Sequence, residues 1–341
     1  MAMTRPASRI TAAAVAVSVV ALGAAVGAQS ALTPDQLKYR PGRPNLDDSP
    51  VELLPVQGSV FLISTGRGSN IAAQIDDQGV ILVDAGRPDV SDEVLARIRK
   101  QTDRPIRAII NTTTDIDHIG GNERLARTGT PLYAGSLGST NAPQAQIFAH
   151  EQALRQISAP TGRPSAVPSA LWPSDTFVGE KEKIFFNHEP IELQHAPGHT
   201  AGDVIVWFRR SDVIATGDAY STTSYPQFDR ARGGTMQGVL DVLNHVIDIA
   251  VAEFNQQGGT RIIPGHGRIS NQSDVVEYRD MATIVRDRVR DAIRGGRSLE
   301  QIKAAKITFE YDGVYSNPGY TGDMFVEAIY NDLKRAAPAG R

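Results

Sequence analysis

The sequence predicts an α/β protein in which strands and helices alternate through two successive halves. Two observations carry that prediction. Short apolar runs of strand length are separated by Gly and Asp turns, and each set of runs is followed by a helix-like segment. The fold starts near Val51. Val60 to Ile63, Ile71 to Ile75 and Val80 to Val83 read as sheet strands, Asp92 to Lys100 as a helix, and Ile106 to Ile110 as a further strand ending at Asn111. Ile119-Gly120-Gly121-Asn122 reads as a turn into a helix. The order then repeats, with strands around Ile184 to Phe186, Ile191 to Gln194, Val204 to Phe208 and Val213 to Thr216. A helix from about Met236 to Ala250 and a strand from Arg261 to Ile263 follow. Between the halves, Gln144 to Ile157 has helical character, and Ser158 to Asp175 is a Pro/Ser/Ala-rich loop that suits a substrate wall and a surface insertion equally. Asp274 to Arg294 and Ser298 to Ala305 read as charged amphipathic helices joined by Gly295-Gly296. Phe309 to Tyr320 is aromatic and Gly-rich, and Asp323 to Arg335 is helical again.

Composition narrows the function. With 341 residues, 41% apolar and 21% charged, the chain can bury a large core. A formal net charge of −3 and the lack of any Lys/Arg-rich run argue against nucleic acid as a partner and for a small-molecule substrate. There is no cysteine, so no thiolate can bind metal. Arg5 and Arg9 precede an Ala/Val-rich run from Ile10 to Gly27, and Val26-Gly27-Ala28 has small residues where a signal peptidase cuts. Residues 1–28 are therefore expected to be a signal peptide, leaving no stable membrane span after cleavage and an exported protein, periplasmic or secreted. Residues 29–50 are expected to form an extended arm, residues 51–270 the main domain, and residues 271–341 a C-terminal helical extension packed on it.

The chemistry gathers in loops that follow strands. Thr113-Thr114-Asp115-Ile116-Asp117-His118 comes just after the run ending at Ile110, and Asp115, Asp117 and His118 are close enough in sequence to converge on one or two cations. His199 arrives in Pro197-Gly198-His199-Thr200-Ala201-Gly202-Asp203, and His266 in Pro264-Gly265-His266-Gly267. Ligands drawn from several strand-end loops are what an open catalytic metal site needs.

With Val83-Asp84-Ala85-Gly86 before them and Thr216-Gly217-Asp218 between the last two, these segments resemble, in order and rough spacing, the metallo-β-lactamase-fold hydrolases. The resemblance spans about Val51 to Arg268. It implies a four-layer αββα sandwich with the C-terminal helices as an extension, zinc as cofactor, and hydrolysis as the reaction. In that family the loop usually reads His-x-His-x-Asp-His, and here Thr113 and Asp115 replace the two leading histidines. One metal position stays intact in Asp117, His118 and His266, with Asp218 nearby. The other keeps His199 and Asp218, with Asp115 as an oxygen ligand. One firmly held metal and a weak or absent second are expected, with Mn or Fe compatible with the oxygen-rich set. The resemblance gives Asp84 a supporting role behind the ligands, and Thr113 is expected beside it.

The expected reaction is attack of metal-activated water on a carbonyl carbon of a β-lactam, lactone or ester. Asp117 or Asp115 would act as general base, and Tyr220 or Tyr225 would stabilise the oxyanion. Ser221, Thr222, Arg230 and Arg232, which follow Asp218, are expected to bind substrate, although both arginines could equally pair with the protein's own acids. His195 is expected to be a satisfied strand-end residue, and His150, His188 and His245 to be structural. Three other readings fit the same motifs. They are a dinuclear hydrolase with Asp115 as replacement ligand, an oxygen-using iron enzyme, and a metal-binding module of the same fold without catalysis.

Overall fold

Strand β1 (Glu52–Gln57) opens an antiparallel run with β2 (Val60–Ser64), β3 (Ile71–Asp76) and β4 (Gly79–Val83). Helix α1 (Ser91–Gln101) crosses over to β5 (Ile106–Ile110), which lies parallel to β4. Two short helices, α2 (Ile116–Ile119) and α3 (Asn122–Ala126), precede β6 (Gln146–His150), α4 (Glu151–Ile157) and β7 (Asp175–Phe177), with β5, β6 and β7 parallel. A second sheet holds β8 (Lys181–Phe186), β9 (Glu189–His195), β10 (Val204–Phe208), β11 (Val213–Ala215) and β12 (Arg261–Ile263). Helix α5 (Met236–Ile249) lies between the last two strands in sequence. After β12 come α6 (Gln272–Arg294), α7 (Leu299–Ala304), α8 (Phe309–Tyr315) and α9 (Gly322–Ala336). This computed structural model describes residues 51–66, 68–133, 143–159, 163–165, 167–253 and 258–336. The expected signal peptide and extended arm lie outside the described residues.

Among the described residues the sheets are seven-stranded, in the order β1-β2-β3-β4-β5-β6-β7, and five-stranded, in the order β12-β11-β10-β9-β8. Strand alternation builds the layers, because successive side chains point to opposite faces. Ile81 and Val83 of β4 meet Leu193, Val204, Val206 and Phe208 in a core between the sheets, whereas Val80 and Leu82 face Val94 and Ile98 of α1. Ile205, Ile214 and Ile262 of the second sheet face Val239, Leu243 and Val246 of α5, with Val285 of α6 and Phe325 and Ile329 of α9 in the same cluster. Helix, sheet, sheet and helix are thus four layers, the αββα sandwich expected, with the C-terminal helices sharing the outer core of the second sheet. No helix of the described residues is long and apolar enough to cross a membrane.

Local signals explain the helix starts. Thr235 accepts a hydrogen bond from Gly238 N at the head of α5, and Asn271 forms a reciprocal capping box with Asp274 at the head of α6. Asp92 and Glu93 begin α1 while Arg99 and Lys100 end it, matching the helix dipole at both ends.

One stretch departs from the sequence reading. Gln144 to Ile157 is helical only in its second half, because Gln146 to His150 is a fully buried strand paired with β5 and β7. A five-residue run buried on both faces shows no alternation, so its periodicity cannot separate strand from helix. The sequence reading does not contain the short strands β1 and β7, and Phe309 to Tyr315, read only as part of an aromatic, Gly-rich segment, folds as a helix.

Candidate metal centre

Loops after β4, β5, β9, β11 and β12 bring the candidate ligands together. Asp84 follows β4 in the left-handed backbone region, with φ 67°, a conformation uncommon outside glycine, though aspartate is among the residues that tolerate it. Asp115 stands at the start of α2, and Asp117 and His118 lie within it. Gly217, with φ 53°, turns the chain so that Asp218 enters the site, and a Cβ there would lie 2.4 Å from Thr112 Oγ1. Gly265 has the same necessity in space, since a Cβ on it would meet Asp218 Oδ1 at 2.4 Å.

Asp117, His118 and His266 form one group whose ligand atoms all lie within 4.8 Å of one another. His118 is completely buried and clamped from behind: its Nδ1 lies 2.8 Å from Asp84 Oδ2. The same carboxylate accepts from Thr112 N at 2.8 Å and Thr112 Oγ1 at 2.7 Å. This carboxylate fixes the ring's orientation and favours the proton on Nδ1, leaving Nε2 as a donor atom for a cation. Nε2 makes no hydrogen bond, although Asp218 Oδ1 lies 3.1 Å away. His266 Nε2 stands 3.3 Å from Asp218 Oδ1 and 3.4 Å from Asp117 Oδ2. Two imidazole nitrogens, one of them the buried and unpartnered His118 Nε2, and two carboxylates fit a divalent cation.

Asp115, His199 and Asp218 form a second group by the same distance criterion. It is arranged differently. His199 Nε2 lies 2.9 Å from Asp115 Oδ2 and 3.9 Å from Asp218 Oδ2, while its Nδ1 is 3.1 Å from the Gln227 carbonyl. The other oxygen of Asp115 is in contact with the Arg232 guanidinium. Asp115 and Arg232 are therefore already an ion pair.

Charge and burial oppose each other throughout the site. Burial works to lower the His118 pKa, but Asp218 and Asp84 outweigh it and hold the ring well above its ordinary range. Burial opposes a rise at His199 as well, and Asp115 and Asp218 carry it to about 9. His266 is raised against burial chiefly by Asp218. Burial would raise Asp115, but hydrogen bonds from His199 and Arg232 bring it down to about 2. Asp218 is held well below the carboxylate range, against burial, by His118 and His266.

Several expected site residues are engaged by other parts of the chain. Tyr220 and Tyr225 are almost wholly buried, and their hydroxyls turn away, Tyr220 to Ser270 Oγ at 3.0 Å and Tyr225 to Asp312 Oδ1 at 2.8 Å. Tyr225 borders the cavity, but its hydroxyl is engaged by Asp312; Tyr220 meets Tyr278 edge-on and Tyr225 stacks on Phe325, which makes both core residues. Arg230 and Arg232 bind the chain's own acids, the alternative the sequence left equally open, while lining a cavity with Asp115 and His199. Arg230 pairs with Asp332, and Arg232 Nε lies 2.7 Å from Asp229 Oδ2 in addition to its contact with Asp115. Thr222 braces the His266 loop, donating its N–H to the His266 carbonyl at 3.0 Å and accepting from Arg268 N at 3.0 Å. Ser221 does line the cavity, which holds about 310 Å³ and includes Asp115, Asp117, His199, Asp218 and His266. Thr113 is buried with an unpartnered hydroxyl, and the supporting role expected of it belongs to Thr112. Nothing in the local sequence separates these two threonines.

His195, His150, His188 and His245 behave as structural residues. His195 Nε2 lies 2.8 Å from the Ala201 carbonyl, and its ring stacks on His150 with centroids 3.6 Å apart. His188 meets Asp77 and His245 meets Gln194. Sequence reasoning missed Gln227 and Asn317, which also line the cavity. Asn317 comes from the segment after α8, whose place near the site no motif signalled.

The sequence profile of the metallo-beta-lactamase superfamily matches residues 64–280. A curated relative, a probable metallo-hydrolase of Streptococcus pyogenes serotype M6, is 26% identical over 207 residues, which is 59% of this chain and 79% of the relative. Among solved structures, the chain is similar to the stereoselective inverting sec-alkylsulfatase Pisa1 from Pseudomonas sp., at 14% identity and a TM-score of 0.61. That match covers 85% of this chain and 51% of the sulfatase, so the chain spans about half the length of the structure it resembles. The likeness is one of fold.

Proposed function

The chain belongs to the metallo-beta-lactamase superfamily, and from that premise we propose that it is a zinc-dependent hydrolase holding its metal at Asp117, His118 and His266, with Asp218 beside them. The substrate class is a small molecule with a carbonyl at the scissile bond, such as a β-lactam, a lactone or an ester. One observation carries the reading: the buried His118 ring, fixed through Nδ1 by Asp84, presents an Nε2 without a hydrogen-bond partner to a cluster of opposite charge.

A bound divalent cation supplies Lewis acidity and lowers the pKa of water toward neutrality. The residues do the rest. Asp84 holds the His118 ring, Asp218 reaches both histidine-bearing groups, and Ser221 presents a hydroxyl on the cavity wall. Asp117, on that same wall, is the better placed carboxylate to accept a proton from water. Asp115 is held at about 2 by its two cationic partners, far from the neutral range where a general base works best. Because His199 and Arg232 already engage Asp115, we assign proton acceptance to Asp117.

The test is metal content per chain on protein purified without added zinc, combined with turnover of a chromogenic cephalosporin, a lactone, a phenyl ester and a secondary alkyl sulfate. The sulfate belongs in the panel because an alkylsulfatase shares the fold. Bound metal with turnover of a carbonyl substrate, abolished in His118→Ala, supports the proposal. Turnover of such a substrate by His118→Ala at the wild-type rate would refute it, and metal binding with no turnover on the whole panel would favour a binding module. Export remains a proposal resting on residues 1–28, tested by the N-terminal sequence and location of the mature protein.

A further inference from the structure

We propose that Arg232 takes the electrostatic place of a second cation, so that this chain is built to hold a single metal ion. The inference rests on the reading of the site as a metal centre, and goes further by assigning the closed position to one residue. Asp115, His199 and Asp218 have the spacing of a ligand group, yet Asp115 is not available as a free carboxylate. One oxygen contacts the Arg232 guanidinium and the other lies 2.9 Å from His199 Nε2.

Arg232 is held in this role at three points. Besides Asp115, its Nε lies 2.7 Å from Asp229 Oδ2 and its Nη1 is 3.2 Å from Thr114 Oγ1. The side chain is about a quarter exposed, at 28%. A planar guanidinium so fixed is a permanent positive charge that does not dissociate near neutral pH. A divalent cation among Asp115, His199 and Asp218 would share the carboxylate with that charge, meeting like-charge repulsion and losing one of its two carboxylate donors. In the first group His266 Nε2 instead lies 3.4 Å from Asp117 Oδ2 and 3.3 Å from Asp218 Oδ1. Thr113, whose buried hydroxyl has no partner, is a weak donor and adds little to the second position.

The chain therefore neutralises Asp115 and Asp218 unequally, the first with an organic cation of its own and the second with a bound metal shared with His118 and His266. Arg232 is a positioning residue here, acting through Asp115, and its signature is metal stoichiometry.

The experiment is titration of metal-free full-length protein with Co²⁺, followed by the d–d absorption and by metal analysis after dialysis. Wild type should saturate at one equivalent. Arg232→Gln should gain a second equivalent, bound about 10- to 100-fold more tightly than any second ion in wild type, whereas Arg232→Lys, which keeps the charge, should stay at one. Asp115→Asn should also stay at one with affinity within about threefold of wild type, since a non-ligand is changed. This variant keeps the proposal testable should Arg232→Gln fail to fold. Two tight equivalents in wild type, one equivalent in a folded Arg232→Gln, or loss of the first ion in Asp115→Asn would each overturn the inference while leaving the metal centre standing. No cobalt bound to wild type would overturn both.

Discussion

Replacing Asp84 by asparagine isolates one buried charge behind the candidate metal ligand. The substitution keeps the side-chain shape, and asparagine accepts the left-handed backbone that φ 67° demands, so the turn itself should survive. What changes is donor chemistry. Asp84 accepts three hydrogen bonds, from Thr112 N and Oγ1 and from His118 Nδ1, at 2.7 to 2.8 Å. An amide has one accepting oxygen, so its NH₂ must face either the Thr112 N–H, which is a donor against a donor, or the Thr112 hydroxyl and His118. The hydroxyl can rotate to accept. His118 can accept only by giving up its Nδ1 proton, which moves the proton to Nε2 and removes the lone pair a cation needs.

The expected loss in metal affinity is about 10- to 100-fold, equal to about 1.4–2.8 kcal/mol. The metal-free protein should lose about 1.5–3 kcal/mol of stability with the charged hydrogen bonds. A competition titration against a zinc-binding chromophore reads the first quantity, and urea unfolding in the presence of a chelator reads the second. Zinc affinity within about twofold of wild type in a folded Asp84→Asn would refute the argument, because it would show that ring orientation and tautomer do not depend on this carboxylate.

Three further outcomes follow from the same geometry. Tyr225→Phe should leave kcat within about twofold while costing about 1 kcal/mol of stability, because its hydroxyl serves Asp312 and the Thr308 carbonyl rather than the cavity; a large fall in kcat with unchanged stability would restore a catalytic role. Arg230→Ala should destabilise the fold by about 2–4 kcal/mol, since it strands the buried Asp332 carboxylate of α9; chemical denaturation measures it, and a change under about 0.5 kcal/mol would show the pair to be dispensable. Above pH 6.5, stability of the metal-free protein should fall while metal affinity rises. His199 is raised from 6.5 to about 9, so its pairing stabilises fully below pH 6.5 and is lost as pH rises through 9, while the stabilisation from Asp115, lowered from 3.8 to about 2, is present above 3.8 and lost as pH falls through 2. Metal uptake must displace protons from His118 and His266, both raised, so affinity should climb from pH 6 upward with proton release measurable by calorimetry in buffers of different ionisation enthalpy. Affinity independent of pH over that span would mean that these rings are neutral before the metal arrives.

Where the sequence was legible, a local rule governed the residue. Strand ends at Ile110 and Phe208 and the helix over Met236 to Ile249 follow from apolar runs, turn residues and a threonine cap, each readable within a few positions. The candidate ligands Asp117, His118 and His266, which the structure brings together, were likewise visible because metal-binding side chains recur at strand-end loops. The supporting roles were not. Thr112 and Thr113 are adjacent and chemically identical, and only the twist of the chain after β5 decides which hydroxyl faces Asp84 and which is left buried without a partner.

Long-range pairing decides between the two roles the sequence left open for the arginines. Arginines 230 and 232 follow the Asp218 loop, and position alone suggests a clamp for an anionic substrate. Arg232 has one acid close by, Asp229, but the other two come from far along the chain, Asp332 in α9 and Asp115 before α2, and no short motif links them to the arginines. Once paired, the two arginines have different consequences. The Arg230 pair joins the loop to the C-terminal helix and belongs to stability, whereas the Arg232 pair reaches a group of metal-ligand type and alters what that group can hold. Asp115 in the ligand loop and an arginine more than a hundred positions later therefore act as one unit: an aspartate at position 115 is kept beside Asp218 with cations to neutralise it, His199 on one oxygen and Arg232 on the other.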